Sequence, residues 1–446
     1  MPSRREFLRL AALAGAGATL GGVGCSKGAN STPAARGSST GGKVLRIAQT
    51  SHYVPAYDAW FDGEYVRQWG ERHDVSVIVD HYPLGDILAR AQAEAAAGRG
   101  HDIVGVFGGH PAVFEDDVVD HRDVVEEVEG KVGQPTPAVR RDIRNRRTGK
   151  YFAFADFWVP SVVLYRTDLW NTVAPGLTPD TWAGVIEGGA RLKDSGAPVG
   201  IGLSTGPDPE VNSFGLLLAH GASLQDEEGR LVLDRPATVQ AVEAGFRLFR
   251  SAMTDDVLTW DDASDNRFLA SGQGSLTLDP ISAIRAIEEQ DPALAGKIDV
   301  RPTPAGPAGR LFPQAAQTYV IFKFSPNQEL AKQFLVDLAL GYREAFLRSR
   351  FYNLPAFPGS VPDLTEIVTA EGAGKYRVLA DASTWSTNIG HPGDTNPAVA
   401  EVFHQGLLSK MFVAAARGEL SAEEAVKRAA ATAEPVFDKW RDRGKI

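Results

Sequence analysis

A single cysteine in 446 residues excludes an intramolecular disulfide and any thiolate metal cluster. That residue, Cys25, stands in a Gly- and Ser-rich stretch with no apolar run after it, which is not the setting of a core thiol. Basic charge is in deficit: 46 Lys and Arg face 56 Asp and Glu, for a formal net charge of −10. Phosphate binding is built on Lys and Arg footprints, so this balance disfavours a nucleic-acid partner. The apolar run near the start, Leu10 to Leu20, is shorter than the about 20 residues that a membrane-spanning helix needs. Catalytic signatures are missing too. The sequence holds no G-x-S-x-G elbow, H-E-x-x-H pair, phosphate-binding loop or dinucleotide fingerprint. His101, His110 and His121 lack the i, i+4 spacing of a helical zinc pair, so neither a metal nor a cofactor is expected. The acidic doublets Asp116-Asp117, Asp255-Asp256 and Asp261-Asp262 read as solvated turns rather than catalytic carboxylate pairs. A binding protein is expected, not an enzyme.

What is present is sharpest at the amino terminus. Residues 1–25 join a basic start to a short apolar run and then to small residues, the pattern of an export signal. Ser3-Arg4-Arg5-Glu6-Phe7-Leu8 resembles the twin-arginine signal, with Arg4 and Arg5 as its pair. Gly22-Val23-Gly24-Cys25 resembles a bacterial lipobox, with Gly22 where leucine is usual. The resemblance implies lipidation at Cys25 and two acyl chains, each buried CH₂ adding about 0.8 kcal/mol of anchoring. Residues 26–42 are small or polar throughout and read as a flexible tether of roughly 20–25 Å. A domain exported to the periplasm or cell surface and held to a membrane is the expectation.

The remainder is 43% hydrophobic and 23% charged over the whole chain, an ordinary globular balance, and its length favours two domains. Val44–Ala48, Val75–Val79 and Ile103–Phe107 read as strands, with helices over Tyr57–Arg72 and Gly85–Ala97 between them. That alternation, with one strand apolar on both faces, predicts a parallel α/β sheet. Capping signals predict helix starts at Ser325-Pro326, Ser421 and Thr178-Pro179.

Several dispersed motifs then carry a family resemblance. They are Gly149–Phe154 with Val163–Leu169, Thr181-Trp182 with Leu192–Gly196, Phe268–Leu276, and Asn327–Leu338. In order and spacing they resemble the extracellular solute-binding proteins of ABC sugar importers, the family that includes maltose-binding protein. The resemblance spans nearly all of residues 43–446. It implies a two-lobed α/β fold with hinge strands crossing between lobes and a ligand cleft between them. Lobe 1 would be 43–155 with 301–352, and lobe 2 would be 156–300 with 353–446. The implied partners are a small solute, expected to be a mono- or oligosaccharide, and importer membrane subunits, with the protein itself a monomer.

Sugars present apolar C–H faces and rings of hydroxyls, which aromatic platforms, carboxylates and amides recognise. Loops after strand carboxyl ends line the cleft of α/β lobes. The candidates are His52, Tyr53 and Tyr57 after the first strand, and Phe107, Gly108 and His110 after the third. Asp156, Phe157 and Trp158 follow the implied interlobe crossing, with Trp158 as the expected cleft floor. Asp208, Asn212, Asp279, Trp385 and Asn388 complete the set. Alternatives are a secreted glycoside hydrolase or lyase, or a binding protein for a polyamine or a sugar phosphate. For the last of these, Arg267 or Arg350 would supply the charge.

Overall fold

The computed structural model describes residues 43–446. The export signal with Arg4 and Arg5, the lipidation site Cys25 and the 26–42 tether lie outside the described residues. Among the described residues no helix is long and apolar enough to cross a membrane.

The apolar strands near the start pair as their composition dictates. β1 (Lys43–Thr50) lies parallel to both β2 (Val75–Tyr82) and β3 (Ile103–Phe107). Helices 66–73 and 84–97 connect them, each stopped by a left-handed residue, Asp74 or Gly98. The sheet is not parallel throughout. Beyond β3 the later strand β10 (Ala315–Ile321) runs antiparallel, followed by β4 (Phe154–Val159) and β11 (Leu354–Pro355). A second sheet has the order β6 (Val199–Gly200), β7 (Leu276–Asp279), β5 (Val162–Arg166) and β8 (Ile298–Pro302). A parallel pair, β9 (Phe312–Pro313) with β12 (Ser386–Thr387), stands apart from both.

The chain therefore passes between the two sheets after Val159 and after Pro302, and after Pro355 it leaves the first sheet and goes on to β12 of the separate pair. Each passage lies a few residues later than the sequence motifs suggested, because β4, β8 and β11 stay with the sheet they extend. Between β4 and β10 the register slips at Asp156, with Gln317 facing Phe157 and Thr318 facing Ala155. This bulge matters for the site residues below.

Ser421 forms the expected capping box with Glu424, and its helix runs through Asp442. Two other starts are displaced. The helix expected at Thr178 begins at Trp182, where the Thr181 side chain accepts from Gly184 N–H. Ser325 does not cap a helix: its hydroxyl donates to Asp102, and the helix begins at Gln328. In both cases a turn precedes the cap, and proline in that turn imitates the first helical residue.

Candidate functional site

Loops from both sheets meet around a cavity of about 360 Å³, a size suited to a small molecule. From the first sheet come Tyr53 after β1, Phe107, Gly108 and His110 at the end of β3, and Tyr352 before β11. The second sheet's side brings Asp208 in the first turn of helix 207–219 and Asp279 at the end of β7. Asp262 and Asn266, beside and within helix 264–270, complete that wall. One wall is aromatic and the other is acidic.

The aromatic wall is braced from behind. Tyr53 and Tyr352 stand 6.3 Å apart by ring centroids, and His52 packs edge-on to Tyr352 at 5.1 Å. Val54 N–H donates to His52 Nδ1, which leaves the proton on Nε2 to donate to Asn353 Oδ1 at 2.9 Å. Burial pushes the imidazole down to about 4, so His52 is a neutral support at physiological pH. Arg350 and Phe351, just before Tyr352, both adopt left-handed backbone angles, φ 53° and 71°. Non-glycine residues hold such angles only where the surroundings enforce them. Here they turn Tyr352 toward the cavity.

On the acidic wall, oxygens of Asp208, Asp265 and Asp279 lie within 4.8 Å of one another. Burial, then mutual repulsion, holds the Asp208 and Asp279 carboxyls well above the usual range, and burial pushes Asp265 up to about 7. The nearby cations are engaged elsewhere: Arg267 pairs with Asp261 at 2.6 Å, and Lys410 donates to the Gln405 carbonyl.

Of the residues singled out from sequence, Tyr53, Phe107, Gly108, His110, Asp208 and Asp279 line the cavity. The others do not. His52 and Tyr57 stack on each other behind it, at 4.3 Å. Asp156, Phe157 and Trp158 belong to β4, which is buried along its whole length and opens neither face to the cleft. Trp158 is 3% exposed, and its indole N–H donates to the Pro355 carbonyl across the β4–β11 pair. Asn212, one turn beyond Asp208, is buried in its helix. Trp385 is a core residue beside the β9–β12 pair, and Asn388 is consumed by bonds to Gly393 O and Thr395 Oγ1. Arg350 is paired with Glu288 and Glu289, so neither it nor Arg267 offers a charge for a phosphate. Tyr352, Asp262, Asp265 and Asn266 were not anticipated. The Asp261-Asp262 doublet, which reads as a solvated turn in the sequence, was the available signal.

Asp156 yields a pH prediction of its own. Both its oxygens are buried without a hydrogen-bond partner, and burial pushes the carboxyl up to about 8. Folding therefore retains a proton that the unfolded chain has released above about pH 4. By linkage, this group's contribution to stability is complete below that range and is lost as pH rises toward 8. Glu210 and Asp142, each pushed up to about 7 by burial, act in the same direction. Thermal unfolding should show a melting temperature that falls between pH 5 and 8.5, and Asp156→Asn should flatten the fall. An unchanged slope in that variant would remove Asp156 from the explanation.

The comparisons accord with this architecture. The profile of the bacterial extracellular solute-binding protein family matches residues 53–340. A probable ABC transporter-binding protein of Deinococcus radiodurans is 29% identical over 176 residues, 36% of this chain and 40% of that relative's length. The maltose-bound MalE3 of T. maritima superposes with TM-score 0.74 at 18% identity, covering 88% of this chain and 99% of that one. A sugar transporter of Arthrobacter chlorophenolicus with bound laminaribiose gives TM-score 0.75 at 16% identity, over 88% and 99% of the two chains. At such identities the likeness is one of fold.

Proposed function

Since the chain belongs to the bacterial extracellular solute-binding protein family, we propose that it captures a mono- or oligosaccharide in this cavity and delivers it to an ABC importer. The observation that carries the reading is the cavity between two sheets, with tyrosine rings on one side and acceptors on the other. Rings stack on sugar C–H faces, and carboxylates accept from hydroxyls. Maltose and laminaribiose in the folds named above support the same class of ligand. A ligand touching both walls is held fully only when they approach, so binding selects the closed arrangement.

A hydrolase would need carboxylates on opposite sides of a glycosidic bond. In this cavity Asp208, Asp262 and Asp279 all stand on the second sheet's side, an arrangement that favours capture without chemistry. The test is a thermal-shift screen of the purified protein against a sugar panel. A ligand at 100 times its dissociation constant adds about 2.7 kcal/mol to stability. No shift with any sugar, or turnover of one that binds, overturns the reading.

Export and anchoring complete the proposal. The twin-arginine pair would direct the folded chain outward, and a lipid on Cys25 would hold it at the membrane as a monomer. Cys25→Ala should move the protein from the membrane fraction to the soluble one, and Arg4→Lys with Arg5→Lys should leave precursor in the cytoplasm. Persistence of the Cys25→Ala protein in salt-washed membranes rules out the anchor.

A further inference from the structure

The acidic wall holds more carboxyl groups than a neutral sugar requires. Hydroxyls are served by one or two carboxylates among amides. Here Asp208, Asp265 and Asp279 converge within 4.8 Å, with Asp262 beside them. Among the described residues no ion pair involves any of the four, and the nearest guanidinium, Arg267, is spent on Asp261. Asp279 is only 5% exposed, lines the cavity, and has an Oδ2 with no hydrogen-bond partner. Asn266 lies on the same wall, and its Oδ1 is likewise unpartnered. Every unsatisfied group on this wall is an acceptor. Without a ligand these carboxyls avoid the cost of a buried charge by keeping their protons, and a cation that donates hydrogen bonds would let them ionise.

We propose that this cluster is a subsite for a protonated amine carried by the ligand, so that the cleft takes an amino sugar. The inference rests on the sugar-binding reading and narrows it. The three carboxyl groups that line the cavity, Asp208, Asp262 and Asp279, match the three N–H donors of a primary ammonium, with Asp265 behind them. On the opposite wall, burial first and then these nearby carboxyl groups disfavour ionisation of the Tyr53 and Tyr352 hydroxyls. Aromatic faces opposite carboxylates suit an organic ammonium, which cation–π attraction also favours. Clustered carboxyl oxygens are also the ligands a divalent metal takes, so calcium and zinc enter the test as competitors.

The experiment is calorimetric titration of the purified protein with matched probes. Glucose, galactose and mannose are compared with their 2-amino-2-deoxy and N-acetylamino counterparts, and cellobiose with the glucosamine and N-acetylglucosamine β-1,4 disaccharides. Spermidine, calcium and zinc are titrated alone. The expected result is an amine-bearing sugar that binds about tenfold or more tighter than both its hydroxyl and its N-acetyl analogue, the scale of a charge-assisted contact. Asp279→Asn should erase that preference, bringing the amine-bearing sugar down to the affinity that the same variant has for the neutral analogue. If that variant does not fold, Asp208→Asn and the wild-type comparison carry the test. Equal or stronger binding of neutral sugars overturns the amine subsite and leaves the sugar-binding reading intact. Binding of spermidine with no sugar of either kind, or no binding at all, overturns that reading and the subsite with it. Metal binding that Asp279→Asn abolishes, with no preference for amines, makes the cluster a metal site instead.

Discussion

Trp158→Ala should cost about 3–5 kcal/mol of folding stability, the usual price of removing a buried tryptophan, while leaving ligand affinity unchanged. The indole is 3% exposed and donates to the Pro355 carbonyl, locking β11 onto β4. Truncation removes that bond and leaves a cavity in a strand buried along its whole length, and Trp158 is not itself among the residues that line the cleft. Chemical denaturation gives the first quantity and titration with the bound sugar gives the second. Weakened binding with intact stability would return Trp158 to the cleft floor, where the motif around residues 149–158 first placed it.

The opposite pattern is expected for the aromatic wall. Tyr352→Ala and Tyr53→Ala should each weaken sugar binding by about 1–3 kcal/mol, the range of a packed aromatic anchor at a binding site. Both rings line the cavity and stand 6.3 Å apart, so together they present one apolar platform. Because they share a ligand face, the double variant should lose less than the sum of the two singles. Tyr53 is only partly buried, so its removal should cost little stability. Tyr352 also carries the edge contact with His52, and its removal should cost more. Unchanged affinity in both variants would move the ligand away from this wall.

Much of the fold was legible because it rests on local patterns. The run Ile103–Phe107 is apolar on both faces and forms an interior strand. The Ser421–Glu424 spacing is a capping box whose two bonds form as written. Loops after β1, β3 and β7 could be assigned to the cleft from strand direction alone, and Tyr53, His110 and Asp279 do line it. What the sequence concealed depends on non-local geometry. The bulge at Asp156 decides where β4's side chains point, and it arises from pairing with residues more than 150 positions away. Tyr352 enters the cleft through two left-handed residues, Arg350 and Phe351, neither a glycine that would have signalled the turn. Asp265 joins Asp208 and Asp279 only because helix 264–270 packs beside β7, so a surface-looking acidic run became one side of a binding site.

A sugar held between the two walls should draw them together. Small-angle X-ray scattering of the purified protein, without and with a saturating sugar from the thermal-shift screen, tests it directly. The liganded sample should have the smaller radius of gyration. A radius that does not change when the site is saturated would contradict it.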